Sequence, residues 1–400
     1  MKTYKMLLSL IMGGMLTTSC ISDFLDLDPL DSQTEAIYFK TLADFQYVAN
    51  DLHTNVWAWN GNDTYGINFD YGTDLILNGA DYISGTNSAP TSDKYWDKAY
   101  EWLRKVNILI SKGEKYSNQE EIAGPIGQAY FFRAWHHFFL LKRYGGPIAN
   151  QVTTISTDDP VVWGPRASRY EVVKQILDDL DIAIAKLART TVASTGNDGH
   201  VTLEAAKALK ARVCLFEGTW DKYVGTKTDG DGNKNGAGIS KPADYPSVEE
   251  FLTMAKNLSK DIIDSQTFEL WKGVENVSSI SSVKNPDMYA HCSYYYLFNL
   301  EGTDSNPAGL DKSSNKESIF RSVYDAVNRK SNTNLTHTAP AGMTRKLMDM
   351  YLCTDGLPVH LSPNFKGYTV MNAELENRDY RLTACVRPAM SYNWGWGKYN

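Results

Sequence analysis

Beyond residue 36, apolar positions recur at three- and four-residue intervals along most of the chain, the period of one helix face. Trp96, Ala99, Tyr100, Leu103, Val106 and Ile110 form one such run. Val173, Ile176, Leu177, Leu180, Ala183, Ile184 and Leu187 form a second. Ser168 with Glu171, and Ser247 with Glu250, have capping-box spacing just ahead of apolar runs and mark helix starts. Gly124-Pro125 opens a helix that Gly145-Gly146-Pro147 stops near Tyr144, because proline is tolerated only in a first turn. That helix is apolar on several faces (Ile126, Ala129, Phe132, His136, Phe139, Leu140), which predicts burial. Between Thr202 and Glu217, Ala205, Ala206, Ala208 and Ala211 leave room for a second helix to approach. Phe251, Leu252, Ala255, Leu258, Ile262 and Ile263 mark a further helix, and a short one is expected between Met343 and Leu352. Helices in succession predict a mainly α fold of stacked, tetratricopeptide-like helix pairs, although no clean 34-residue repeat is present.

Long connections interrupt these helices at Gly61 to Asp93, Gln151 to Arg166, Tyr223 to Tyr245 and Gly273 to Glu317. Loops of more than about 15 residues are uncommon unless they have a role or are disordered. The Gly- and Asn-rich Tyr223 to Tyr245 stretch reads as a mobile insert, whereas the others carry aromatic residues.

The first 19 residues read as an export signal, with Lys2 and Lys5 ahead of an apolar stretch, Met6 to Leu16, too short to span a bilayer. Thr17, Thr18 and Ser19 lead into Cys20, which resembles a lipoprotein acylation site, with Thr17 where leucine is common. The alternative is an ordinary secretory signal with an incidental cysteine. Asp23, Asp26, Asp28, Asp31 and Glu35 make residues 20–36 an acidic tether. Acyl chains anchor without crossing, so the membrane is reached through the N-terminal lipid alone.

At 42% hydrophobic and 22% charged residues, the 400-residue chain has ample material for a core and is not intrinsically disordered. A formal net charge of −7 leaves no cation excess for a phosphate backbone, which argues against nucleic acid as a partner. Five cysteines are too few for a disulfide scaffold, though an exported location permits a Cys353–Cys385 bridge. The composition is pointed in its rings: 24 Tyr, 14 Phe and 10 Trp, many in or beside the long loops.

Several segments, taken in order, resemble the SusD/RagB family of nutrient-binding outer-membrane lipoproteins of the Bacteroidetes. Cys20 is followed by Tyr38-Phe39-Lys40-Thr41 and by Trp96-Asp97-Lys98-Ala99-Tyr100 with Asn107. The most specific signature is Gln128-Ala129-Tyr130-Phe131-Phe132-Arg133-Ala134-Trp135, ending at Arg143-Tyr144-Gly145-Gly146-Pro147-Ile148. Arg166 to Leu187, Gly199-His200-Val201-Thr202, Ala205 to Ala211, Asn315 to Phe320, Pro340 to Tyr351 with Asp355-Gly356, and Asn377-Arg378-Asp379-Tyr380-Arg381-Leu382 complete the series. Gln128-Ala129-Tyr130 stands where the family has Glu-Ala-Arg, and Pro125 interrupts the upstream helix. The resemblance implies a helix-pair superhelix with a loop-rich, irregular ligand-binding face and a few short strands. It divides the chain into a signal (1–19), a tether (20–36), an N-terminal helical region (37–220) and a C-terminal region (221–400), which ends sooner than is usual in the family. It also implies a lipid-anchored protein on the outer membrane, facing the exterior, that captures oligosaccharide and delivers it to a SusC-like TonB-dependent barrel. No catalytic residue, metal or cofactor is expected.

Sugar rings have apolar C–H faces edged with hydroxyls, so a glycan site needs exposed aromatic platforms beside carboxylates, amides or cations. Trp57-Ala58-Trp59-Asn60-Gly61-Asn62-Asp63-Thr64-Tyr65 meets that requirement, as do Asp81-Tyr82 in the same loop, Tyr294-Tyr295-Tyr296, and Trp394-Gly395-Trp396. Trp59, Tyr295 and Trp396 are the expected stacking rings, and Asn60, Asp63 and Asp81 the hydroxyl partners, with Tyr65, Tyr82 and Trp394 beside them. Each ring could equally be packed under its loop, and a half-buried strand at Tyr294–Tyr296 would expose only alternate rings. Trp57, Trp96, Trp102 and Trp135 read as helix-packing residues.

Other chemistries fit less well. His136-His137 cannot share a helix face and no His-Glu-x-x-His occurs, which argues against a zinc hydrolase. Asp229-Gly230-Asp231-Gly232-Asn233 begins like a calcium loop but has Lys234 where glycine is needed and Ser240 in place of the bidentate Glu. A glycoside hydrolase would need a carboxylate pair that no pattern singles out. A protein adaptor, or a carrier of peptide or another nutrient, remains a competing reading.

Overall fold

The computed structural model describes residues 38–55, 73–77, 91–145, 166–190, 199–224, 241–272, 293–298, 300, 306, 309–321 and 342–386. Five of the six long helices among the described residues begin where a side chain takes up an orphan N–H group. Thr41 and Asp44 form a capping box ahead of α1, Leu42–Leu52. Asp93 caps α2, Lys94–Glu114, through the Tyr95 amide at 2.9 Å. Helix α3, Ala123–Tyr144, has Pro125 in its first turn and stops at Gly145, whose φ of 79° suits glycine. The expected Ser168/Glu171 box opens α4, Arg169–Lys186, and Thr202 caps α5, Leu203–Tyr223. The Ser247/Glu250 box opens α6, Val248–Asp264.

Consecutive helices pack against each other, α2 on α3, α3 on α4, α4 on α5 and α5 on α6, with α1 laid on α2 and α3. Their contacts run head to tail. Arg143 at the end of α3 reaches Asp93 at the start of α2 (3.1 Å), and Lys207 at the start of α5 pairs with Asp261 at the end of α6. These are the antiparallel helix pairs the periodicity predicts. Small residues set the spacing: a Cβ on Gly218 of α5 would come within 3.0 Å of the Phe251 Cβ on α6.

One core runs through all six helices, centred on Phe45, Leu52, Leu109, Phe131, Phe132, Ile176 and Phe251, each 0–1% exposed. Burying a side chain of this size contributes about 1.5–3 kcal/mol. Trp102 and Trp135 pack against this core and Trp96 against a smaller cluster at Leu103 and Leu140, as helical spacing predicts. Cys214 is buried and its thiol pushed up to about 11 by desolvation, so it stays protonated.

Two polar joints lie inside. Arg169 of α4 and Glu217 of α5, each 1% exposed, meet at 2.5 Å. The Tyr245 hydroxyl donates to the same carboxylate (2.7 Å), and the Trp220 ring covers the guanidinium. Between α3 and α4, Arg133 forks onto Asp179 (2.6 and 2.9 Å) and also donates to the side-chain Oδ1 of Asn107 on α2.

Two short strands, β1 (Ile76–Leu77) and β2 (Gly342–Met343), pair antiparallel, Ile76 opposite Met343. Three short helices follow the superhelix: α7 (Ser293–Leu297), α8 (Arg345–Met350) and α9 (Tyr380–Cys385). The strand considered for Tyr294–Tyr296 is therefore a helical turn: Tyr296 is fully buried, while Tyr294 stacks edge-on with Phe298 four residues on. The Cys353–Cys385 bridge is not formed; Cys353 is buried against Arg378 in a backbone bridge and Cys385 is exposed. Ile263, counted among the apolar markers of α6, is 72% exposed.

His136 and His137 are fully buried on α3, and desolvation holds both imidazoles down to about 3. An unfolded histidine titrates near 6.5, so between pH 6.5 and about 3 the unfolded chain binds the extra protons. Stability is complete above pH 6.5 and falls below it, by about 1.4 kcal/mol per pH unit for each histidine. Urea unfolding from pH 7.5 to 5, above the range where carboxylates titrate, should show this slope; a flat profile would contradict it.

Candidate functional site

Residues 342–386 form a module of turns and short helices around one guanidinium. Arg378, 2% exposed, donates to the carbonyls of Glu374 (2.9 Å), Met348 (2.6 Å) and Tyr351 (2.8 Å) and lies over the Phe365 ring. The Met348 and Tyr351 carbonyls are the end of α8, where a helix needs acceptors satisfied and welcomes a cation. The Cys353–Leu357 turn is closed by Gly356 at φ 79°, and Thr354 donates to the Asn377 carbonyl at 2.8 Å. Asp355 takes the Ser362 hydroxyl (2.7 Å), which holds its carboxyl below the usual range. Asp379 is lowered likewise by the forked Arg381 guanidinium. Both carboxylates are tied, ionised structural groups rather than proton donors.

The module receives the roots of the aromatic segments. Residues 73–77 join it through β1–β2, through the Thr344 amide on the Leu75 carbonyl (2.9 Å) and through Lys346 on Asp74. Helix α7 packs on α9, and the Tyr351 hydroxyl lies against Cys385 with Tyr294 alongside. Asp81-Tyr82 follow the first root by four residues, Tyr295 lies in the second, and Trp394 and Trp396 follow α9.

Tyr295 is the one expected site residue whose backbone is described, in α7, and its side chain is outside the described set. Trp59, Asn60, Asp63, Tyr65, Asp81, Tyr82, Trp394 and Trp396 lie outside the described residues, as do Trp57, the anchor residue Cys20 and the Asp229–Asn233 loop. Arg378 appeared in the sequence only within a family-like motif; a guanidinium that caps a helix 30 residues earlier leaves no periodic signal.

A separate groove runs along α5. About 580 Å³ of it lies between α5 and α6 over Ala208, Ala211, Leu215 and Ile262, and about 300 Å³ lies under Ile319 and Phe320, beside Trp135, Arg212 and Glu317. Among the described residues, no cluster of three or more His, Cys, Asp or Glu is placed to hold a metal, and no helix is long and apolar enough to cross a membrane.

Antiparallel helix pairs carrying an irregular module define a helical-repeat scaffold with a grafted loop face. Residues 23–215 match a SusD-like family described as starch-binding and associating with the outer membrane. No curated protein matches it. Two crystal structures from Bacteroides fragilis are similar in fold. A SusD-like protein is 19% identical with a TM-score of 0.57, covering 90% of this chain and 63% of its own. A SusD-like carbohydrate-binding protein is 15% identical with a TM-score of 0.58, covering 86% of this chain and 59% of its own. The chain thus spans about three fifths of the length of these structures.

Replacing Arg378 with Met leaves buried helix-end carbonyls unsatisfied, at a cost of about 3 kcal/mol. Proteolytic nicking within residues 342–386 should accelerate roughly 100-fold while α1–α6 stay protected; Arg378→Lys should not rescue it, because an ammonium lacks the planar fork. Equal nicking rates in variant and parent would refute the keystone role.

Proposed function

We propose that this protein is a lipid-anchored oligosaccharide receptor of the outer-membrane surface that hands its ligand to a SusC-like TonB-dependent barrel without chemical change. The observation that carries this reading is the SusD-like match over residues 23–215, whose description joins starch binding to the outer membrane. The carbohydrate-binding description of one structural relative supports it. In this reading Cys20 carries the acyl anchor after removal of residues 1–19, and residues 20–36 hold the folded part off the bilayer. Residues 37–220 supply most of the helical scaffold, which α6 completes, and residues 221–400 supply most of the loop face.

The ligand is held by stacking on Trp59, Tyr295 and Trp396, flanked by Tyr65, Tyr82 and Trp394, with Asn60, Asp63 and Asp81 taking sugar hydroxyls. Stacking suits a sugar's C–H face, and side-chain amides and carboxylates suit its rim. Such sites are wet and individually weak, and holding the sugar beside a transporter raises its local concentration.

Calorimetric titration of the full chain with a panel of neutral oligosaccharides should give binding heat with at least one of them. Trp59→Ala should then weaken that ligand at least tenfold, about 1.4 kcal/mol, with an unchanged unfolding curve. Heat with no member of the panel, or release of new reducing ends during the titration, would overturn the proposal.

A further inference from the structure

His53 closes α1 as its C-terminal cap and is 2% exposed. Its Nδ1 lies 3.0 Å from the Ala49 carbonyl, and the Val201 amide donates to its Nε2 at 3.2 Å. A main-chain N–H can only donate, so Nε2 must present its lone pair. The ring proton then sits on Nδ1, facing the carbonyl. This imidazole is therefore neutral and locked in one tautomer by two main-chain groups 152 positions apart, Ala49 and Val201.

The rings around it come from three other elements. Phe132 of α3 meets it edge-on at 4.9 Å, Phe320 of the 309–321 segment at 6.2 Å and His200 at 5.5 Å. Of these only His200 is an ionisable residue, and it is exposed. On the ring's own helix, the Asp51 carboxylate is engaged by Lys105 of α2 at 3.1 Å. A second proton on His53 would occupy the lone pair that Val201 uses.

We propose that His53 is an acid-released latch that fastens the end of α1 to the start of α5 at neutral pH and lets that seam open in mild acid. The seam is strategic in the chain: two residues after Val201 the helix α5 begins, and four residues after His53 comes Trp57. Opening would loosen the root of the segment carrying Trp59, and this consequence alone rests on the receptor reading above.

Native-state hydrogen exchange of the full chain, corrected for intrinsic rates and read by mass spectrometry, tests the latch without any ligand. If opening frees His53 to titrate near 6.5, peptides covering 42–55 and 199–206 should open up to about 25-fold more at pH 5 than at pH 7. Peptides from α6 should change only through the global loss of stability set by His136 and His137. His53→Gln keeps an acceptor for Val201 and a donor for Ala49 but does not titrate, so its two seam peptides should show no acid response beyond that of α6. Equal opening of the parent seam at pH 5 and 7, or an undiminished acid response in H53Q, would overturn the proposal. Should H53Q fail to fold, slow deuteration of the His53 Cε1–H with a midpoint below pH 6 supports the latch. Fast deuteration with a midpoint near 6.5 refutes it.

Discussion

The burial of Arg169 with Glu217 is the constraint on which the superhelix depends. Neither ion is tolerable in an apolar interior by itself, and removing one partner from such a pair typically costs about 3–5 kcal/mol. Because Arg169 stands at the first residue of α4 and Glu217 near the end of α5, only one offset of those helices matches the charges. Tyr245 adds a donor to the same carboxylate and so ties the approach to α6 into the joint. Burial and the adjacent carboxylate push its phenol well above the ordinary range, and it acts as a fixed donor. Arg133 and Asp179 repeat the arrangement one joint earlier, with Asn107 extending it to α2. Apolar packing brings these helices together, and the buried guanidinium pairs select their register.

That division of labour explains what could be read in advance. Helix starts and stops depend on residues within one turn, so Ser168 with Glu171, Ser247 with Glu250, and Pro125 with Gly145 announce themselves locally. The buried joints do not, because a charged residue on a helix reads as solvated surface unless its partner 48 positions away is known. Tyr294–Tyr296 failed in a different way. Three adjacent rings fit a strand or a single helical turn equally well, and only packing of α7 on α9 decides between them.

The candidate site was read from the sequence as chemistry, without a place in the fold. Aromatic residues next to amides and carboxylates announce a sugar-like surface wherever they stand, yet their loops have no period from which to infer a partner. What brings their roots together is pairing at long range: Ile76 with Met343, Lys346 with Asp74, and α7 with α9. Each of these joins segments whose own sequences carry no mark of the other.

A stacking site places a particular demand on its support. Binding that relies on a few ring contacts and wet hydrogen bonds yields little free energy, and ordering a loose loop consumes about 0.5–1.5 kcal/mol per immobilised side chain. The segments' roots must therefore be fixed before the ligand arrives. The module meets that demand without a large apolar core of its own, since Leu361, Val370 and Met371 remain more than 60% exposed. It relies instead on polar contacts: Arg378 satisfies three carbonyls, Arg345 meets Glu374, and Asp355 gathers Ser362 and Asn364. Carboxylates spent in this way are held as anions by their neighbours, so the same bonds that stiffen the platform remove those groups from acid–base work.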